Sequence, residues 1–154
     1  MLYNKMSIAK VFEFGCGNYS TAFFIERGSD VTAIEMQDVN WFNTIKQKFA
    51  DHRSLTLQCR IGPWDAITQL KKEQDKSYDL VFVDGHGASR HGAINTAFDK
   101  TNVIVAHDTE EPGYHWELVE MPDTWTKFST TNEGAQTTLY ITKELAQALD
   151  ITSI

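Results

Sequence analysis

Residues 10–35, KVFEFGCGNYSTAFFIERGSDVTAIE, constrain this chain more than any other stretch. Val11, Phe12 and Phe14 form a short apolar run of strand type that stops at Gly15-Cys16-Gly17. A helical pattern opens at Asn18-Tyr19-Ser20-Thr21, with Ala22, Phe23, Phe24 and Ile25 as its apolar positions. Gly28-Ser29-Asp30 ends that helix, and Val31 to Ile34 reads as a second buried strand closing on Glu35. A strand, a glycine turn, a helix and a second strand form a βαβ unit, and such units build parallel sheets.

With an acid at the tip of its second strand, that unit has the form of a nucleotide site. Glycines let the backbone approach a ligand, and Glu35 can accept hydrogen bonds from a ribose diol. A dinucleotide site would carry a third glycine where Ser20 stands, and its pyrophosphate would lie beside Glu13. Glu13 opposes an anion and favours a cationic amino-acid group. The pattern E-x-G-x-G-x-x-S therefore points to a nucleoside joined to an amino acid, as in S-adenosylmethionine. A merely structural turn is the alternative.

Composition limits the other classes. The 154 residues fit one domain, 1–154, and can bury a core. No apolar run approaches bilayer length, so no membrane role is expected. MLYNKMSIAK has no long apolar signal core, which makes the cytoplasm the expected location. The formal charge is −7 and Lys and Arg do not cluster, so nucleic acid is not an expected partner. Cys16 and Cys59 have neither metal-ligand nor disulfide-framework spacing, and both read as reduced, inert thiols.

Further along, Asp38 is a plausible N-cap for a helix with Val39, Phe42, Ile45 and Phe49 on one stripe. Trp41 lies off that stripe and is either a pocket edge or a core-edge aromatic. Ser54 to Cys59 alternates as a strand, and Gly62-Pro63-Trp64-Asp65 turns into a helix, with Pro63 suited to its first turn. Trp64 could pack on an adenine and Asp65 accept from its amino group; alternatively Asp65 is a favourable charge at a helix start. Tyr78 to Val83 reads as a central strand followed by Asp84-Gly85-His86-Gly87, and Ser89 to Asp99 as a helix. Val103 to Ala106 is the next strand, followed by His107-Asp108-Thr109. A short helical piece follows around Trp116 to Val119. Thr124 to Ser129 and Thr137 to Thr142 read as an antiparallel hairpin around a polar turn at Thr130 to Gly134, with a terminal helix at Leu145 to Leu149.

Strands alternating with helices predict an α/β doubly wound, three-layer sandwich with a mostly parallel sheet and a C-terminal antiparallel hairpin. Over about Lys10 to Lys143 the chain resembles the class I S-adenosylmethionine-dependent methyltransferases, whose sheet is Rossmann-like and seven-stranded with a reversed last strand. The resemblance rests on Glu13 to Ser20, on Glu35, and on Tyr78 to Gly85. VFEFGCGNYST, AIEMQDVNW and VFVDG with Arg90 downstream resemble a loosely defined small-molecule and sugar O-methyltransferase subgroup. It implies a donor site at Glu13, Phe14, Gly15, Cys16, Gly17, Ser20, Thr21, Glu35, Met36, Gly62, Trp64, Asp65 and Asp84.

In an open α/β sheet, ligands bind outside the carboxyl ends of the strands. Asp84 and His86 follow the fourth strand; His107 and Asp108 follow the fifth, its expected neighbour. Removal of a hydroxyl proton during methyl transfer suits His86 or His107, oriented by Asp84 or Asp108. Asp84 and Asp108 could instead hold Mg²⁺ or Ca²⁺, as catechol-type methyltransferases do, although Thr109 stands where those carry Asn. The structural alternative is that Asp84 caps a helix and Asp108 bonds loop amides. Arg90, His115 and Trp116 are candidates for the acceptor side, and a homo-oligomer could close it. The competing functions are a non-catalytic nucleoside-binding protein and, less favoured by Ser20, an NAD-dependent oxidoreductase. Asp84-Gly85-His86-Gly87 departs from the Asn/Asp-Pro-Pro-aromatic signature of adenine and glutamine N-methylating enzymes.

Overall fold

The structure, a computed structural model, describes residues 2–62, 64–132 and 134–152. Pro63 therefore lies outside the described residues, and its expected place in a first helical turn with it. Seven strands form one sheet: β1 (Lys10–Phe14), β2 (Asp30–Glu35), β3 (Leu55–Cys59), β4 (Leu80–Val83), β5 (Val103–His107), β6 (Trp125–Asn132) and β7 (Ala135–Thr142). The helices are α1 (Ser20–Glu26), α2 (Val39–Lys48), α3 (Asp65–Lys72), α4 (Arg90–Lys100) and α5 (Lys143–Ala148). The spatial order is β3-β2-β1-β4-β5-β7-β6, parallel from β3 to β5 and antiparallel at β5–β7 and β7–β6. This is the expected doubly wound architecture. Among the described residues, no helix is long and apolar enough to cross a membrane.

Two apolar clusters flank the sheet, because successive strand residues point to opposite faces. Phe12, Phe14, Val81, Val83, Ile104 and Ala106 pack with Ala93, Ile94 and Ala97 of α4 and Ile67 and Leu70 of α3. Val11, Val31, Ala33, Leu80 and Val103 belong to the opposite cluster with Phe24 and Ile25 of α1 and Ile45 of α2. Asp38 caps α2 as expected, its Oδ1 accepting from the amide of Asn40 at 2.7 Å. At the other end of the sheet, Asp79 Oδ2 accepts from the amides of Ala9 and Lys10 at 2.8 and 2.9 Å and fixes the entry to β1. Tyr78 and Asp79 thus precede β4 instead of opening it.

The hairpin departs most from expectation. Thr130 to Asn132 continue β6, and Asn132 pairs with Ala135, so three residues expected in the turn belong to the strand. Gly134 adopts φ +91°, the left-handed backbone that two-residue hairpins require. Polarity marked this segment as a turn, but threonine is β-branched and suits an edge strand facing water. The piece after Trp116 is a 3₁₀ turn, Trp116–Leu118, and α5 begins at Lys143.

Candidate active site

The site begins at the glycine turn after β1. Gly15 has φ +82°, and a β-carbon there would lie 2.6 Å from the carbonyl oxygen of Asp84, at the end of β4. Gly85 answers it: a β-carbon on Gly85 would meet Met36 Sδ at 2.9 Å and the Phe14 carbonyl carbon at 3.3 Å. Gly15 tolerates no side chain, so the two strand ends approach backbone to backbone there, while at Gly85 the Met36 tip would have to shift. Gly85 was not among the expected contacts, although the VFVDG run contains it.

Glu13 is wholly buried beneath this turn. Its Oε2 accepts from the Thr21 hydroxyl at 2.7 Å, and Thr21 Oγ1 accepts from the Gly17 amide at 2.9 Å. Among the described residues its Oε1 has no partner. Burial pushes the carboxyl up to about 7, with the nearby Ser20 and Thr21 hydroxyls opposing the shift. An unpartnered carboxylate oxygen buried behind a glycine turn is a site that a bound cation would satisfy.

Beside the turn lies a cavity of about 280 Å³. It is lined by the expected Gly15, Cys16, Glu35, Met36 and Asp84, together with Gln37, Asp38, Trp41 and Gly85. Glu35 Oε1 accepts from the amides of Gln37 and Asp38 at 2.7 and 3.0 Å, and its Oε2 accepts from the Cys16 thiol at 3.6 Å. Trp41 donates through Nε1 to the Cys16 carbonyl at 2.8 Å, which makes it a wall of the cavity. The Cys16 thiol is pushed up by burial and by the neighbouring carboxylates, so it stays neutral.

Not every expected donor residue reaches this cavity. The Phe14 side chain is buried against Phe12 in the α4-side core, so only its backbone belongs to the site. Thr21 is a buried strut beneath the turn. Gly62, Trp64 and Asp65 lie off the cavity: Trp64 is half exposed with its ring 5.8 Å from that of His91, and Asp65 sits against Gly62.

At the ends of β4 and β5, Asp84, His107 and Asp108 converge around Arg90. His107 Nδ1 is 2.8 Å from Asp108 Oδ1 and 3.8 Å from Asp84 Oδ1. Asp108 turns its carboxylate there by adopting φ +55°, a left-handed conformation that aspartate tolerates. A proton on Nδ1 would face both carboxylates and would leave the Nε2 lone pair to act as a base. His86 stands differently. Its Nδ1 accepts from the Ala88 amide at 3.2 Å and caps the short 3₁₀ turn Gly87–Ser89. Using His86 Nε2 as a base would require the other tautomer and cost that cap. His86, not Asp84, is thus the capping group after β4.

Arg90 is buried and fully engaged. Nε donates to the Gly85 carbonyl at 3.0 Å and Nη1 to the His107 carbonyl at 2.6 Å, while Nη2 lies 3.0 Å from Asp84 Oδ1 and 3.5 Å from Asp108 Oδ2. The Tyr114 ring covers its guanidinium at 4.4 Å. Arg90 therefore ties the ends of β4 and β5 together and offers no free fork to an acceptor. Burial raises the Asp84 carboxyl, with Arg90 and then His107 opposing the shift. Nothing in the sequence marked Tyr114; its role depends on the loop folding back over α4.

The same three groups bear on the expected metal. Asp84, His107 and Asp108 each offer a ligand atom within 4.8 Å of the others. The fixed Arg90 charge already occupies the space between the two carboxylates, and a divalent ion there would be repelled by it. These residues do not fit a metal centre as they are arranged. His115 and Trp116 lie elsewhere, on the α4 side. His115 is exposed and paired with Glu117 Oε1 at 3.1 Å, and Trp116 lines a separate cavity of about 120 Å³ near Thr109 and Tyr140.

No protein-family model matches the sequence, and no curated protein matches it either. Solved structures do match the fold. The Escherichia coli protein yhhF, named as a methyltransferase, superposes with a TM-score of 0.69 at 18% identity, over 92% of this chain and 81% of its own. TomG, an O-methyltransferase of Streptomyces achromogenes solved with S-adenosylmethionine, gives 0.69 at 18% over 92% and 76%. An O-methyltransferase from Bacillus cereus solved with S-adenosylhomocysteine gives 0.67 at 17% over 88% and 74%. This chain has the Rossmann-like fold of the class I methyltransferases.

Proposed function

We propose that this protein is an S-adenosylmethionine-dependent methyltransferase acting on an oxygen of a small molecule, with His107 as general base. The observation that carries the reading is the His107–Asp108 pair at the end of β5, facing the same strand ends as the Gly15 turn and the buried Glu13. The residues present fit the donor. Glu13 offers its unpartnered oxygen to a cationic amino-acid group, the Gly15 and Gly17 backbone permits close approach, and Met36 and Trp41 wall a nucleoside-sized space. Glu35 meets a ribose diol only by sharing the carboxylate oxygens that Gln37, Asp38 and Cys16 already use.

S-adenosylmethionine supplies a sulfonium methyl: the acceptor oxygen forms the new C–O bond, and the C–S bond breaks with its electron pair left on sulfur. His107 Nε2 takes the hydroxyl proton. Asp108 holds the imidazole in the required tautomer and stabilises the imidazolium that forms. Arg90 keeps Asp84 and Asp108 in register beneath it. No step runs through a metal.

The free thiols of Cys16 and Cys59 agree with a reducing compartment, and we place the protein in the cytoplasm, working as a single domain without nucleic acid. Calorimetry with S-adenosylhomocysteine and with NAD tests the donor, and only the former is expected to bind. Release of S-adenosylhomocysteine from a panel of phenols and sugars tests the transfer. Binding of NAD instead, or the absence of transfer to any hydroxyl, would favour the oxidoreductase or the non-catalytic reading.

A further inference from the structure

A second, apolar hollow lies apart from the donor cavity. It is a groove of about 440 Å³ on the α1 face of the sheet, within the range of small-molecule sites. Phe23 and Phe24 of α1 form one wall; Phe82, Val105 and Leu139 form the floor; Thr137 closes one end. Among the described residues that line it, no side chain is charged.

Strand alternation connects this groove to the chemistry. Val103 and Val105 face the α1 side, so His107, two residues beyond Val105, faces it too. His107 is also paired directly with Thr137, and such cross-strand partners share a face. Ser20, beside the Thr21 that hydrogen-bonds Glu13 behind the glycine turn, lies on the same groove. An apolar groove therefore runs over the sheet to the edge where the base and the donor-side carboxylate stand.

We propose that this groove, and not the His115–Trp116 side, binds the methyl acceptor, and that the acceptor is an uncharged, flat, largely apolar molecule with one hydroxyl at its His107 end. The proposal rests on the methyltransferase reading for the identity of that hydroxyl's partner, though not for the groove's occupancy. A sugar would place several hydroxyls against Phe82, Val105 and Leu139 with nothing to bond them, at a cost for each. A planar ring system buries apolar area against the same residues without leaving a hydroxyl unpaired.

The test is a ¹H–¹⁵N NMR titration with 2-naphthol and, separately, with methyl glucoside, each with and without S-adenosylhomocysteine. We expect 2-naphthol to shift resonances of Phe23, Phe82, Val105 and Leu139, and methyl glucoside to leave them unmoved. Val105→Trp, which fills the groove, should weaken 2-naphthol at least tenfold while S-adenosylhomocysteine affinity stays within twofold. Phe23→Ala, at an exposed position, gives a second reading should Val105→Trp misfold, with an expected loss of about threefold. Shifts confined to His115 and Trp116, or undiminished binding to both variants, would overturn the proposal. So would a concentration-dependent dimer whose interface covers Phe23 and Val105, since a second copy would then own the groove. Failure of S-adenosylhomocysteine to bind, with 2-naphthol still mapping to the groove, would remove the donor reading and leave the groove standing.

Discussion

The two faces of β4 and β5 differ sharply. On the α4 face, Val81, Val83, Ile104 and Ala106 are completely buried beneath α4. On the α1 face, Phe82 and Val105 alternate with them along the same strands and remain partly open. Connection handedness accounts for the difference. Right-handed crossovers from β1 outward to β3 place α1 and α2 on one face, over that half of the sheet. The crossovers from β3 back to β4 and on to β5 place α3 and α4 on the other face. The hairpin of β6 and β7 then completes the sheet with no crossover helix, so on the α1 side Leu80 and Val103 are buried while Phe82 and Val105, nearer the carboxyl ends, stay partly open beside Leu2 and Tyr3. Glu13 and His107 both belong to that side. One face of these strands carries stability and the other carries chemistry.

The sharpest test lies on the open face. His107→Ala should lower turnover about 10²- to 10⁴-fold, the usual contribution of a general base, with S-adenosylhomocysteine affinity nearly unchanged. His86→Ala should lose only the cap of the 3₁₀ turn and keep turnover within about threefold. Equal losses in both variants would show that the tautomer argument has chosen the wrong histidine.

Next comes the contrast in stability. Ile104→Ala on the closed face should cost about 2–5 kcal/mol in denaturant unfolding, the range for a truncated core isoleucine. Val105→Ala, its neighbour on the open face, should cost less than about 1 kcal/mol. Similar values at the two positions would mean that the groove is filled in solution.

Gly15→Ala should destabilise by about 2–3 kcal/mol, because it combines φ +82° with a 2.6 Å approach to the Asp84 carbonyl. The readouts are the unfolding midpoint and the loss of S-adenosylhomocysteine binding.

The smallest effect is a pH dependence. Glu13 titrates near 7 when no ligand is bound, and a cationic ligand selects its ionised form. Affinity for S-adenosylhomocysteine should therefore fall by up to about eightfold between pH 7.5 and 6, and Glu13→Gln should flatten that slope. The sign for folding is the reverse. A carboxyl raised from 4.5 to about 7 favours the protonated folded state, so ligand-free stability should decline as pH rises from about 4.5 and level off above 7. Calorimetry and urea unfolding across that range would each detect the missing slope in Glu13→Gln.

Much of the fold was legible in the sequence because it is written locally. The apolar runs at Val11 and Val81, the Gly15 turn, the Asp38 cap and the strand–helix alternation each depend on a few adjacent residues. They predicted the doubly wound sheet, the reversed hairpin and the placing of Asp84, His107 and Asp108 at neighbouring strand ends. The hairpin's length was misjudged because polarity alone does not separate a water-facing edge strand from a turn. Trp64 and Asp65 follow β3 as a donor site would require, but neither side chain lines the cavity.

What only the tertiary structure decided are relations between distant residues. Arg90 looked like an acceptor ligand until its guanidinium was found tying β4 to β5. His86 and His107 are equivalent in sequence, but the Ala88 amide bonds His86 Nδ1 whereas His107 Nδ1 lies in ion-pair contact with Asp108. The sequence determined which residues reach the carboxyl edge of the sheet, because strand period and turn chemistry are properties of neighbours. Which of them remain free to act was decided by hydrogen bonds and packing between residues that only the folded chain brings together.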